Sequence, residues 1–193
     1  MLTDEKARLR REVLARRDAL DDRAARDVRI RDRLLVTPEW QAATTISTYV
    51  GVKSEVATLP LIAAAFAAGK RVAVPVVEGA NLRLYRIDSL DDLAPAPFGL
   101  LEPKRELRRK ARSMVATTIK LFLVPGVAFD PACGRLGYGK GYYDGLLGRI
   151  KPHIPTMGLA YDVQVVPSVP MSPTDVRLGA VLTESTLHTR QTA

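Results

Sequence analysis

The sequence contains few of the residues from which many common sites are built. It has one cysteine, Cys133, and two histidines, His153 and His188. A single cysteine cannot form an internal disulfide, and these three residues cannot supply a four-ligand zinc cluster. Aromatic residues make up 6% of the chain, and no RNA-binding aromatic motif is visible. The sequence therefore excludes a disulfide scaffold and a zinc domain, and it argues against a nucleic-acid-binding module.

Long apolar segments are also missing. The first residues, MLTDEKARLRR, are charged and are not followed by the apolar stretch of a secretory signal. The longest apolar runs, such as residues 121–124, are too short to cross a bilayer. We therefore expect a soluble, cytoplasmic protein that has no membrane partner.

Length and element order predict the fold class. A chain of 193 residues suits one compact domain, 1–193, and we expect a monomer. Residues 1–35 contain no Gly or Pro and predict one long N-terminal helix. Helices are also predicted at 60–68 and 142–150, with strands at 44–50, 71–77, 82–87, 121–124, 156–161 and 180–183. This alternation predicts an α/β protein with a mostly parallel central sheet and helices on both faces, a Rossmann-like three-layer arrangement.

The excess positive charge is unevenly distributed. The net charge is +8, and residues 104–120 carry seven Lys/Arg against one acid, Glu106. This basic part of the Pro- and charge-rich connection 94–118 suits a polyanion such as a nucleic acid, a nucleotide or a polyglutamylated ligand. A basic surface loop that only aids solubility is an equally good interpretation.

A glycine-rich segment follows the apolar run 121–124 and leads directly into a predicted helix. Its glycines and cations are Gly134, Arg135, Gly137, Gly139, Lys140 and Gly141. Glycines let backbone amides turn toward one concavity, and the helix start adds a positive dipole, so the segment predicts a polyphosphate site. It is not a P-loop, because Gly141 rather than Ser or Thr follows Lys140, and its glycine spacing is not that of a dinucleotide fingerprint. A flexible turn between strand and helix is the alternative.

Two neighbouring segments resemble the 5-formyltetrahydrofolate cyclo-ligase family, also called methenyltetrahydrofolate synthetase. They are Val124-Pro125-Gly126-Val127-Ala128-Phe129-Asp130 and Arg135-Leu136-Gly137-Tyr138-Gly139-Lys140-Gly141-Tyr142-Tyr143-Asp144. Weaker matches lie in order along nearly the whole chain: Lys6 with Arg10, Ser54-Glu55-Val56, Gly69-Lys70-Arg71-Val72 before Pro75, Glu102-Pro103, Gln164, Pro170 with Asp175, and Thr183-Glu184.

The resemblance implies an ATP-dependent ligase with Mg²⁺ as cofactor. Such an enzyme cyclises 5-formyltetrahydrofolate to 5,10-methenyltetrahydrofolate through a phosphorylated formyl group, an iminium phosphate, and releases ADP and phosphate. Its partners are therefore 5-formyltetrahydrofolate and ATP. Two alternatives stay open: a homologue that binds folate or nucleotide without turnover, and a basic nucleic-acid-binding module.

The resemblance also implies roles for individual residues. Arg135 and Lys140 are the expected catalytic residues, and Asp144 and Asp175 the expected metal ligands. The expected ATP-binding residues are Lys6, Arg10, Arg135, Leu136, Gly137, Tyr138, Gly139, Lys140, Gly141, Tyr142 and Tyr143. The expected substrate-binding residues are Val50, Glu55, Tyr138, Gly139, Lys140, Gly141 and Tyr142. A carboxylate such as Glu55 can accept paired hydrogen bonds from a pterin ring.

Some of these residues have ordinary interpretations as well. Lys6 and Arg10 are equally well two surface cations, although their i,i+4 spacing puts both on one helix face. Glu55 on its own could be a helix-start acid, and Asp175 a turn residue after a proline.

Two positions depart from the family pattern. The family has an acid where this chain has Lys120, and another where it has Gly179. If these acids support the metal site, their loss would alter its geometry. The basic segment 104–112, which the family pattern does not require, would attract a glutamate tail or ATP.

Overall fold

The computed structural model describes residues 1–190. The α-helices are α1 (Leu2–Asp18), α2 (Arg23–Leu35), α3 (Pro38–Ala42), α4 (Leu59–Ala67) and α5 (Tyr142–Leu147). The strands are β1 (Thr45–Ser47), β2 (Arg71–Glu78), β3 (Asn81–Ile87), β4 (Leu93–Pro95), β5 (Leu101–Pro103), β6 (Ser113–Met114), β7 (Leu121–Val124), β8 (Ala128–Phe129), β9 (Arg135–Leu136), β10 (Thr156–Leu159), β11 (Ala180–Leu182) and β12 (Leu187–Thr189).

A central sheet organises the molecule, in the strand order β12-β11-β10-β7-β1-β2-β3-β6. The five strands from β11 to β2 run parallel, while β12, β3 and β6 pair antiparallel at the two edges. The predicted single α/β domain with a mostly parallel sheet is confirmed. The antiparallel pair β2–β3 follows from its short connection, where Gly79 has a φ of 59° that favours glycine.

Apolar side chains cover both faces of the sheet. Leu121 and Leu123 of β7 face a core shared with α2, α3 and α4. Phe122 and Val124 face a second core, which is shared with α5 and Phe129. All four β7 side chains are buried, which explains why this strand is a continuous apolar run instead of an alternating one.

The N-terminal segment differs from its prediction: residues 1–35 form two helices instead of one. Arg23 Nη1 donates hydrogen bonds to the backbone oxygens of Leu20, at 2.7 Å, and Asp18, at 3.2 Å, where α1 ends. The break lets the two helices pack separately. Val13 of α1 packs in a small third core around the β8–β9 hairpin, whereas Ile30 of α2 packs against the sheet.

The connection 94–118 contains more structure than its composition indicated. Strands β4 and β5 form a small antiparallel hairpin, and β6 extends the central sheet by pairing with β3. Short 3₁₀ turns join these strands. Of the strands in this segment, β6 belongs to the central sheet, whereas β4 and β5 form a two-stranded sheet of their own.

Candidate active site

A cleft of about 750 Å³ opens at the carboxyl ends of the parallel strands. Open parallel sheets commonly bind ligands at this edge. The cleft is bordered by α1, the loop after β1, strands β2 and β3, the β4–β5 hairpin and the glycine segment. All of the residues assigned to the site from the sequence line it: Lys6, Arg10, Val50, Glu55, Arg135, Leu136, Gly137, Tyr138, Gly139, Lys140, Gly141, Tyr142, Tyr143, Asp144 and Asp175.

The glycine loop, residues 134–141, presents several backbone amides that are not used by the rest of the described chain. Gly139 and Gly141 have φ values of 95° and 71°, which turn the chain in a way that other residues rarely adopt. Within residues 1–190, the amides from Gly137 to Gly141 donate no hydrogen bond to another protein group. Helix α5 has only six residues, fewer than predicted, so its dipole adds little and these amides are the main feature for holding an anion.

Helix α1 brings two cations to this loop. Arg10 Nε donates a 2.8 Å hydrogen bond to the backbone oxygen of Gly137. Lys6, one turn earlier, forms an ion pair with Asp175. The i,i+4 spacing therefore places both side chains in the cleft, beside the glycine loop.

The two cations of the loop itself differ in their environment. Arg135 is 4% exposed, and its Nη2 donates a 2.9 Å hydrogen bond to Asp144 Oδ2. Its guanidinium also lies 5.6 Å from the centre of the Tyr143 ring. Lys140 is exposed and forms no ion pair within the described chain. Arg135 thus organises the floor of the cleft, whereas Lys140 is available to a ligand.

The two carboxylates expected to bind metal lie at the same end of the cleft. Asp144 Oδ1 accepts a 3.2 Å hydrogen bond from the backbone amide of Val176, the residue that follows Asp175. Burial alone would raise the pKa of Asp175, but hydrogen bonds from Lys6 and Ser172 outweigh burial and lower it below its usual value. Asp175 is therefore held ionised beside Lys6, and Asp144 lies beside the guanidinium of Arg135.

These donors fit one kind of magnesium site. Among residues 1–190 no group of three or more His, Cys, Asp or Glu side chains could enclose a metal ion. Mg²⁺ usually binds one or two carboxylates and completes its shell with water and phosphate oxygens. Asp144 and Asp175 therefore suit a magnesium ion that arrives with a nucleotide.

Glu55 lies at the other end of the glycine loop, where Tyr138 contacts it. Glu55 Oε1 accepts a 2.9 Å hydrogen bond from the Tyr138 hydroxyl, and Oε2 accepts one of 3.1 Å from the amide of Val52. Burial raises the pKa of Glu55, although these hydrogen bonds and the charge of Arg17 oppose the shift. Loss of solvent around the Tyr138 hydroxyl and the nearby Glu55 charge raise the pKa of Tyr138 to about 12.

Comparison with known proteins identifies the family. Residues 2–184 match the model of the 5-formyltetrahydrofolate cyclo-ligase family. The chain belongs to this family. Membership makes it a ligase of folate one-carbon metabolism, which implies the use of ATP.

Similar proteins extend over most of the chain. A probable 5-formyltetrahydrofolate cyclo-ligase of Schizosaccharomyces pombe is 30% identical over 173 residues, which cover 82% of this chain and 84% of the relative. The 5-formyltetrahydrofolate cyclo-ligase of Escherichia coli K12 is 32% identical over 158 residues, 79% of this chain and 85% of that protein. The NMR structure of Aquifex aeolicus 5,10-methenyltetrahydrofolate synthetase is 32% identical with a TM-score of 0.83, and the match covers 97% of this chain and 94% of that one.

The cellular compartment stays a prediction. A cyclo-ligase of Arabidopsis thaliana, 30% identical over 186 residues that cover 84% of this chain and 67% of that protein, is described as mitochondrial. No helix within residues 1–190 has the length and apolar character needed to span a membrane.

The two positions expected to depart from the family pattern lie away from the cleft. Lys120 precedes β7 and Gly179 precedes β11, so both are at the amino ends of parallel strands, the opposite edge of the sheet. Lys120 is exposed, and its amide donates to the Thr45 backbone oxygen. Neither residue lines the cleft. The expectation that these departures alter the metal site therefore has no structural support.

The basic segment is partly neutralised by its own surroundings. Arg108 forms a 2.6 Å ion pair with Glu102, and Arg112 pairs with Asp88 and Asp92. Glu102 lines the cleft, so Arg108 supports the β4–β5 hairpin at its border. Binding of a glutamate tail or of nucleic acid to this segment stays a prediction.

Sequence reasoning missed several residues of the site. Tyr49 is buried beside Val50, and Leu100 and Leu101 of the hairpin close one side of the cleft. Lys53 also lines the cleft, with a φ of 54° that is uncommon for lysine. Tyr49 could have been found, because it lies two residues after β1, at the carboxyl end of that strand. No sequence signal places the hairpin there.

Proposed function

We propose that this chain catalyses the ATP- and Mg²⁺-dependent cyclisation of 5-formyltetrahydrofolate to 5,10-methenyltetrahydrofolate, with release of ADP and phosphate. The proposal is supported by family membership and by one observation in particular. A single segment, 137–143, borders both a group of cations, with backbone amides that are unused within residues 1–190, and the half-buried carboxylate of Glu55 beside an apolar wall. A reaction that transfers phosphate from a nucleotide to a pterin substrate needs such neighbouring sites.

The triphosphate would bind at the cationic end. The amides from Gly137 to Gly141 would donate hydrogen bonds to phosphate oxygens, and Lys140 and Arg10 would balance their charge. Charge-assisted hydrogen bonds are the stronger class, and Lys140 needs to break no other ion pair of the described chain to form them. Arg135 would act mainly by holding Asp144.

Magnesium would be held by Asp144 and Asp175 together with phosphate oxygens. Bound there, the ion would neutralise phosphate charge and keep the terminal phosphate aligned for transfer. Lys6 would share Asp175 with the ion, and Arg135 would share Asp144. Asp175 accepts hydrogen bonds from Lys6 and from the Ser172 amide at Oδ2.

The pterin would bind at the Glu55 end. Glu55 would accept hydrogen bonds from N–H groups of the pterin ring, as an ionised carboxylate can. Val50 and Tyr49 provide a buried apolar wall next to it, and Leu101 lies on the hairpin side of the cleft. Since Tyr138 already donates to Glu55 Oε1, the substrate must displace or share this hydrogen bond.

The chemistry requires no covalent bond to the protein. The formyl oxygen attacks the terminal phosphorus of ATP, the bond to the bridging oxygen breaks, and ADP leaves with the electron pair. N10 then attacks the formyl carbon of the iminium phosphate and loses its proton, and the C–O bond breaks so that phosphate departs with the formyl oxygen. The protein contributes by positioning and by stabilising charge.

The direct test is optical. Purified protein is mixed with 5-formyltetrahydrofolate and Mg-ATP, and the near-ultraviolet absorption of the methenyl product is followed while ADP and phosphate are measured. We expect the three products in equal amounts, and no product when ATP, folate or magnesium is omitted. Binding of both ligands without any methenyl product would instead favour the non-catalytic homologue.

A further inference from the structure

A buried arginine behind the cleft connects to Glu55. Arg17, on the last turn of α1, is 2% exposed and does not line the cleft. Its Nη2 donates a 3.0 Å hydrogen bond to the Tyr138 hydroxyl, which in turn donates to Glu55. Its Nε donates a 3.0 Å hydrogen bond to Ser54 Oγ, and Ser54 donates to Asp18.

The burial of Arg17 lowers the stability of the fold, so packing by itself does not explain why an arginine is at this position. Arg17 forms no direct ion pair among the described residues, and its Nη1 is buried without any hydrogen-bond partner in residues 1–190. Burying a charge without a paired carboxylate is strongly unfavourable. Arg17 reaches acids only through hydroxyl groups, Tyr138 toward Glu55 and Ser54 toward Asp18. A residue chosen only for packing would not need a guanidinium at this point.

We infer that Arg17 is a positioning residue for folate binding, which orients Tyr138 and, through it, the Glu55 carboxylate. The inference rests on the proposed function, because it assigns Arg17 to the pterin end of that same site. The fork of the guanidinium ties Ser54, in the loop after β1, to Tyr138, in the glycine loop. It thereby fixes the two loops on either side of Glu55 relative to each other.

The positive charge of Arg17 also favours ionised Glu55. The groups that face this carboxylate are Arg17 from α1, Tyr138 and Tyr143 from the glycine loop and helix α5, and Tyr49 from the loop after β1. Among them only Arg17 carries a positive charge. Burial already raises the pKa of Glu55, so removal of Arg17 would raise it further. Folate binding, which needs the ionised form, would then fail at a higher pH than in the unaltered protein.

The test compares Arg17→Met, Arg17→Lys and the control Arg16→Met. Arg16 is the exposed neighbour on the same helix and pairs only with Glu12 among the described residues, so its loss removes the same charge at little cost. We expect Arg17→Met to raise the KM for 5-formyltetrahydrofolate about tenfold or more, which corresponds to a hydrogen bond to a charged group. The KM for ATP should change less than threefold, and the acid limb of the folate kcat/KM profile should move to higher pH. Arg17→Lys keeps the charge without the fork, so it should raise the KM while leaving the acid limb near its original position.

A double-mutant cycle shows whether Arg17 acts through Glu55. In a Glu55→Gln background there is no carboxylate to orient or keep ionised, so Arg17→Met should cost less than threefold in folate affinity. Equal effects of Arg17→Met in the two backgrounds would overturn the inference, because independent residues act additively. Equilibrium binding of 5-formyltetrahydrofolate without ATP gives the same comparison if turnover is too slow to measure.

Two further measurements distinguish a folding defect from a loss of folate binding. Thermal melting reports whether each variant is folded; if Arg17→Met does not fold, Arg17→Lys and Tyr138→Phe in the same two Glu55 backgrounds replace it. A folded Arg17→Met variant with an unchanged KM for folate and an unchanged pH profile would contradict the inference about Arg17. It would not contradict the proposed function. The proposed function itself would be contradicted if the unaltered protein neither binds 5-formyltetrahydrofolate nor forms the methenyl product.

Discussion

The two cations of the glycine loop give the sharpest prediction, because the structure assigns them different environments. Lys140→Ala removes an exposed side chain that has no ion pair within residues 1–190. Its loss should leave the free energy of unfolding within about 0.5 kcal/mol of the original value, as for most surface substitutions. If Lys140 contacts phosphate, the lost charge-assisted hydrogen bond is worth about 1.5–3 kcal/mol, so kcat/KM for ATP should fall about 10- to 150-fold.

Arg135→Ala, unlike Lys140→Ala, should clearly lower the melting temperature. The Arg135 side chain is 3% exposed and its partner Asp144 20%, so the variant leaves a mostly buried carboxylate without its cation. Breaking a fully buried pair costs about 3–5 kcal/mol, and the partial exposure of Asp144 reduces this to about 2–4 kcal/mol. For a chain of this size the melting temperature should fall by about 4–16 °C. ATP use should also fall at least tenfold, since Asp144 loses its orientation.

The assay is a titration of Mg-ATP at saturating 5-formyltetrahydrofolate, followed by methenyl absorption, together with a thermal melt of each variant. Lys140→Arg is the matched control, since it keeps the charge and should recover much of the ATP affinity. Equal melting temperatures for Lys140→Ala and Arg135→Ala would refute the structural distinction. Unchanged ATP kinetics in both variants would remove the glycine loop from the nucleotide site.

Three further predictions concern the metal, the departures from the family pattern and the packing of the sheet. Asp144→Asn and Asp175→Asn should each raise the magnesium concentration needed for half-maximal activity, and an unaltered magnesium titration would count against their role. Lys120→Glu should leave kcat/KM within about twofold, because this position is at the edge of the sheet opposite the cleft; a large gain in activity would reconnect it to the metal site. Gly158→Ala should destabilise the fold by about 1–3 kcal/mol, because a Cβ at this position would lie 2.6 Å from Phe129 Cε1. The control Gly145→Ala lies in a helix, where a Cβ has space, so a thermal melt should show it to be neutral or stabilising.

The residues that line the cleft were easier to predict from the sequence than the scaffold around them. Glycines, cations and acids at fixed positions, such as Gly139, Lys140 and Asp144, restrict the kinds of ligand that a segment can bind. This restriction can be read from the sequence before the fold is known. The break between α1 and α2 was missed because residues 19–22 contain neither Gly nor Pro, and only the carbonyl contacts of Arg23 reveal how the first helix ends. Helix propensity could not decide it, since both helices are stabilised by packing against different cores.

The burial of Arg17 could not be predicted from the sequence, for a different reason. It is one of several arginines in a charged helix, and its neighbour Arg16 is exposed while Arg17 is buried. Helical periodicity distinguishes the two faces only once the partner of the helix is known, and that partner is the β8–β9 hairpin with the glycine loop. The β4–β5 hairpin escaped prediction for a related reason: its strands have three residues each, and its place at the cleft depends on long-range contacts.

In the proposed site, the position of Tyr138 would let one short loop serve two substrates. Its backbone belongs to the run of unused amides, while its hydroxyl reaches Glu55 and Arg17 on the far side of the loop. Phosphate bound by the amides and a pterin bound by Glu55 are then necessarily neighbours, which phosphoryl transfer to the formyl oxygen requires. In the proposed site the covalent chain itself would hold the nucleotide and folate halves together. Lengthening the loop by one glycine between Tyr138 and Lys140 should therefore reduce kcat far more than it weakens the binding of either substrate alone.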